Sequence, residues 1–186
     1  MSPLHLFVKA RPGTAATGGY GWMMSVPSGD PPQGWSPPVS GVVVAGHRVA
    51  SGDNEDPRFP GGTLAMQRPY FAAVGIDLAA FHPGTINLDI APHRLVPVAS
   101  RVTLRQVRWH PTEPAEDFSF FDCRIGHDSD ALVAGLLYVP HPDTKPEHHQ
   151  PPTVVEVLAP PIAGVAVGVR LWLVVAAGQA RLDGAG

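Results

Sequence analysis

"FHPGTINLDI", residues 81–90, couples a Pro-Gly turn to a run in which polar and apolar side chains alternate without a break. Successive side chains of a strand leave on opposite faces. Thr85, Asn87 and Asp89 therefore share one face, and Ile86, Leu88 and Ile90 share the other. The apolar set predicts a core-facing surface. On the polar side, a hydroxyl and an amide oxygen about 7 Å apart along the strand are neutral oxygen ligands of the kind a hard cation takes. Magnesium uses such ligands and usually arrives with phosphates. The same alternation is also the ordinary signature of a half-buried strand with a solvated outer face.

Working outward, the runs 101–109 (RVTLRQVRW), 117–125 (DFSFFDCRI), 131–139 (ALVAGLLYV), 153–159 (TVVEVLA) and 168–176 (GVRLWLVVA) read as further strands, and VVV at 42–44 as an earlier one. Phe71, Val74 and Leu78 recur at helical spacing behind Pro69, a residue tolerated in a first turn, which predicts one short helix ending near Gly75. With 22 Pro and 20 Gly among 186 residues, long helices are disfavoured. Many short strands without βαβ alternation predict a mainly β protein, a small barrel or sandwich. Residues 1–40 are Pro/Gly-rich with little periodic apolar content and read as a flexible arm, 41–176 as the folded domain, and 177–186 as a C-terminal tail.

Composition narrows the function classes. Thirteen Lys and Arg against 16 Asp and Glu give a net charge of -3, which offers no field for nucleic acid. One cysteine, Cys123, cannot form an internal disulfide or a thiolate zinc site, and it reads as a small core residue. The N-terminus lacks an apolar core of signal-peptide length, and the apolar run from Ile162 is too short for a bilayer and contains Arg170, so a cytoplasmic protein is expected.

Other polar clusters carry less. His141, Glu147, His148 and His149 lie in one Pro-rich segment and read as a polar loop, because adjacent histidines on an extended chain diverge. Asp117, Asp122, Asp128 and Asp130 lack calcium-loop spacing and read as solvated turns. His47 has no visible triad partner. Glu156 shares a strand face with Val154 and Leu158, so its carboxylate points where apolar groups point; either a ligand or a hydrogen-bond partner within the protein has to satisfy it.

The run Pro83-Gly84-Thr85-Ile86-Asn87-Leu88 resembles the PGTLNL-type signature of the CTP-dependent, archaeal-type riboflavin kinases. VASG (49–52), the segment from Tyr70 to Gly75, GLLYVP (135–140) and VVEVLAP (154–160) resemble other parts of that family in the same order, over residues 41–176. The resemblance implies a six-stranded cradle-loop β-barrel with one or two short helices. It also implies Mg2+-dependent transfer of the γ-phosphoryl of CTP to riboflavin, yielding FMN and CDP. Carried over by position, Thr85 and Asn87 match the metal ligands, Glu156 and Thr144 the flavin site, and Ser51 and Gly52 the opening of the nucleotide loop.

Two features depart from the family pattern. Ser51-Gly52 is followed by Asp53, Asn54, Glu55 and Asp56 instead of spaced glycines, with Gly61 and Gly62 as replacement nucleotide contacts, and no Lys or Arg follows LAP until Arg170. Three carboxylates beside a triphosphate repel it. A catalytically silent flavin- or nucleotide-binding barrel of the same family is therefore the alternative reading.

Overall fold

The computed structural model describes residues 34–46, 50, 57–144 and 150–184. Nine strands and one helix follow in the order β1 (Val39–Val43), α1 (Thr63–Ala72), β2 (Ile86–Asp89), β3 (His93–Pro97), β4 (Val102–Val107), β5 (Glu116–Gly126), β6 (Val133–Pro140), β7 (Val154–Leu158), β8 (Arg170–Val175) and β9 (Ala180–Gly184). Seven strands form an antiparallel sheet in the order β4-β5-β6-β7-β2-β1-β8, and a further pairing of β5 with β8 closes six of them into a barrel. Mainly β, six-stranded and closed, with one short helix, is the architecture expected above.

Closure depends on the length of β5. Its 11 residues are divided between two partners on one edge: β4 pairs with residues 116–120, whereas β8 pairs with 123–126. The side chains of β5 are divided as well. Phe121, Cys123 and Ile125 enter the barrel with Leu88, Ile90, Leu137, Val157, Leu171 and Leu173. Phe118 and Phe120 point outward, yet they are also buried, because α1 lies over that side. Phe71 of α1 is fully buried there, with its ring edge-on to Phe118 at 5.3 Å and to Phe120 at 5.0 Å. A barrel interior and a helix-covered outer core thus share one strand, which explains why DFSFFDCRI is apolar on both faces.

Several boundaries differ from the sequence reading. The helix begins at Thr63, six residues before Pro69, so proline sits late in the helix instead of in its first turn, and Val74 and Leu78 lie beyond its end. β1 starts at Val39, and Trp35 already bridges Ala176, so order reaches into the segment read as an arm; residues 1–33 lie outside the described residues. The stretch read as a tail contains β9, which pairs with β3 from His93↔Gly184 to Pro97↔Ala180. The Gln179 side chain brackets Asp122, accepting from its N–H and donating to its carboxylate, both at 2.7 Å, while Ala180 is fully buried. Asp117 and Asp122 accordingly belong to β5 and to ion pairs with Arg105 and Arg101, not to solvated turns. Cys123 is buried in the barrel, where desolvation pushes its thiol pKa up and leaves it a packing group.

Replacing Phe71 with alanine empties the centre of the outer core. A loss of about 3–5 kcal/mol in unfolding free energy is expected, read as a lowered urea midpoint; an unchanged midpoint would mean that α1 does not stabilise the barrel wall.

Candidate functional site

Antiparallel pairing of β2 with β7 sets the geometry: Leu88 faces Val155 inside the barrel, and Asn87 faces Glu156 on the outside. Directly opposed residues have Cβ atoms about 5 Å apart. An amide and a carboxylate are thereby placed side by side by backbone register alone. Asn87 is 9% exposed, and Glu156 is half-buried. The Gln150 side chain closes the group, its Nε2 donating to Asn87 Oδ1 at 2.9 Å and to Glu156 Oε1 at 3.2 Å. Gly46 packs against the same amide: a Cβ there would lie 2.7 Å from Asn87 Cγ and 3.0 Å from Oδ1, inside van der Waals contact. Only glycine leaves Asn87 in place.

Behind this pair, the buried Tyr138 hydroxyl donates to Gln67 Oε1 of α1 at 2.9 Å. Burial, then the charges of Glu156 and Glu116, hold the Tyr138 pKa well above its ordinary range, with the Gln67 bond opposing them. Tyr138 is a neutral hydroxyl at any physiological pH. Sequence reasoning missed Gly46, Gln67, Tyr138 and Gln150. For Gly46 a signal existed: placing β1 antiparallel to β2 puts Val44 opposite Asn87, as the Val44 N–H to Asn87 O bond of 2.9 Å shows, and the glycine follows two residues on. Gln150 and Gln67 come from outside the sheet and had no comparable signal.

The remaining expected site residues are distributed differently. Thr85 is half-buried two residues before Asn87, ahead of the first paired residue of β2. Ser51 and Gly52 lie outside the described residues, as do His47, Glu147, His148 and His149. Gly61 and Gly62 adopt φ of 75° and 88° in the turn that starts α1, where no acidic residue occupies the first turn. Their end of the helix is partly satisfied already, because Gly62 donates to Phe59 O and Leu64 to Ala50 O. Thr144 joins a separate network, its hydroxyl accepting from the Asp117 N–H at 2.9 Å and donating to His141 O at 3.2 Å. No hydrogen bond links Thr144 to Glu156 among the described residues.

That second network has a definite polarity. Arg105 Nη1 donates to Asp117 Oδ2 at 2.6 Å and approaches His141 Nδ1 at 3.2 Å. A guanidinium only donates, so His141 Nδ1 accepts and the ring proton sits on Nε2, donating to Ser119 Oγ at 2.8 Å. Ser119 Oγ and Thr103 Oγ1 share a further hydrogen bond of 2.7 Å. A serine, a histidine and an aspartate are thus assembled with the wrong tautomer for a triad, since the histidine donates where a general base would accept. Gln106, at φ 54° in a bulge of β4, aims its N–H at Asp117 Oδ1 at 2.7 Å. Burial alone would raise the Asp117 pKa, but the Arg105 and Gln106 bonds outweigh it and lower it.

Among the described residues, no three His, Cys, Asp or Glu side chains gather to hold a metal. Asn87 and Glu156 present a neutral and a charged oxygen to one donor, the Gln150 amide, and the neutral Asn87 Oδ1 is an oxygen of the kind a hard cation takes when it brings further ligands with it. No helix among these residues is long and apolar enough to cross a membrane. Comparison with protein-family models, curated proteins and solved structures finds no match to the chain.

The His141 pKa is lowered, first by burial and then by Arg105. The unfolded chain therefore binds a proton below its ordinary pKa of 6.5 that the folded chain refuses, and stability falls as pH drops through that value. His141→Gln is expected to flatten the decline in urea midpoint between pH 7 and 5 relative to the wild type; parallel declines would show that His141 is not part of it.

Proposed function

We propose that the chain is a magnesium-dependent phosphotransferase of the CTP-dependent riboflavin kinase type. The riboflavin hydroxyl oxygen bonds to the γ-phosphorus of CTP, the bond from that phosphorus to the β,γ-bridging oxygen breaks, and the hydroxyl proton leaves, giving FMN and CDP. The observation that carries the reading is the register pair Asn87↔Glu156, which sets the metal-matching amide of PGTIN beside the flavin-matching carboxylate on one closed six-stranded barrel. The adjacency itself follows from the β2–β7 register, and the roles given to the two residues follow from the motif resemblance.

In this reading Thr85 and Asn87 hold the ion, which when bound neutralises charge on the phosphate oxygens. Glu156 accepts a hydrogen bond from the flavin, with Thr144 on the same side of the ligand. Gly61 and Gly62, together with Ser51 and Gly52, bring backbone close to the triphosphate. Catalysis of this kind rests on positioning and charge neutralisation, so the absence of an activated nucleophile from the reading is consistent with it. The silent-binder alternative is favoured by one observation, the run Asp53 to Asp56 where the family has a glycine-spaced phosphate loop.

Purified protein incubated with riboflavin, Mg2+ and each nucleoside triphosphate is expected to yield FMN with CTP as the preferred donor. Asn87→Ala and Gly46→Ala are each expected to lower turnover by about a hundredfold or more with circular dichroism unchanged. Flavin binding without product from any donor would establish the silent barrel instead. Neither binding nor product would end the flavin reading.

A further inference from the structure

Gln150 stands four residues before β7, outside every strand, and Val154 N–H reaches back to Pro151 O in the turn between them. Its side chain nevertheless makes the two bonds that satisfy Asn87 and Glu156, with one amide hydrogen for each acceptor. The acceptors are fixed by the β2–β7 register, whereas the donor is fixed by no ladder. Between them lies a slot that register makes unavoidable: two oxygens face each other, and something with positive or donor character has to lie between. The half-buried Gln150 supplies it from the chain itself.

We propose that Gln150 is a built-in competitor for this slot, its carboxamide holding both oxygens until a metal ion or a ligand donor takes its place. The inference rests on the functional reading given above for the identity of the incoming group. The two occupants exclude one another. A hard cation needs Asn87 Oδ1 at about 2.1 Å, and the amide nitrogen stands 2.9 Å from that same oxygen on the side it shares with Glu156. Withdrawal of Gln150 breaks two side-chain bonds and no strand pairing, so the exchange leaves the barrel unaltered. Its effect is to link the two halves of the site, because an ion arriving at Asn87 releases Glu156 from the same donor. Glu156 then becomes free to accept from the second substrate, and binding of one ligand favours binding of the other.

The test is a calorimetric titration of the full chain with Mn2+, alone, with CTP and with riboflavin present, comparing wild type with Gln150→Ala. Removing the competing donor is expected to tighten Mn2+ binding by about tenfold and to weaken the coupling between metal and riboflavin affinities. Gln150→Met, which keeps the length and loses the N–H donors, replaces the alanine variant if that variant lacks the native circular dichroism spectrum. Equal or weaker Mn2+ binding in the variant overturns the proposal, as does absence of Mn2+ binding from both proteins. The kinase reading fails separately: a wild type that makes no FMN, paired with a variant that binds Mn2+ more tightly, leaves the competitor in place and removes the activity.

Discussion

In an antiparallel ladder, residues paired across two strands project to the same side, so the register that seats Leu88 against Val155 in the barrel also fixes Asn87 against Glu156 outside it. A slip of one residue would exchange the two faces, placing an amide in a cavity lined by Ile90, Leu137 and Val157 and turning Leu88 toward solvent. Burying an unpaired amide costs about 1–3 kcal/mol on protein scales, and exposing a leucine side chain forfeits about 1.5–3 kcal/mol more. The candidate site is therefore held by the hydrophobic core. Asn87 and Glu156 need no mutual attraction to stay adjacent, and both accept from a third residue, Gln150.

The same sequence pattern that made the barrel legible also hid its second layer. TINLDI alternates cleanly because one face of β2 is packed and the other is polar, and the reading of Ile86, Leu88 and Ile90 as core follows from period alone. DFSFFDCRI is different: Phe118 and Phe120 are buried under α1 while Phe121 and Cys123 are buried in the barrel, and two buried faces erase the periodicity that would show which is which. The start of the helix is hidden for a related reason. Its buried residues Leu64, Gln67 and Phe71 lie three and four apart, but one of them is a glutamine, and its interior contains Pro69, so neither the stripe nor the breaker pointed to Thr63 as the start.

Polar residues that act through tertiary contacts were legible only when a strand placed them. Asn87 and Glu156 could be assigned a face from alternation, and both lie on it. Gln150, Gln67 and Gln179 could not, because each reaches its partner from a turn or a helix: Asn87 and Glu156, Tyr138, and Asp122 respectively. A local pattern carries no information about such meetings. β9 was lost in the same way, since its short run ARLDG has few apolar residues and owes its order to β3 on one side and to the Gln179 clamp on Asp122 just before it.

The two polar networks described on this barrel are held in physically different ways. Around Asp117, the carboxylate meets a guanidinium and a backbone N–H, and its own N–H is taken by Thr144, so that charge, donors and acceptors are matched among the described residues. Around Glu156, the bond described comes from a neutral amide, which fills one lone pair without cancelling charge. The uncancelled field extends far enough to oppose ionisation of Tyr138, whose hydroxyl it helps keep protonated. Among the described residues the donor to this half-buried carboxylate is a neutral amide, and a charged donor forms a stronger hydrogen bond to a carboxylate than a neutral one does.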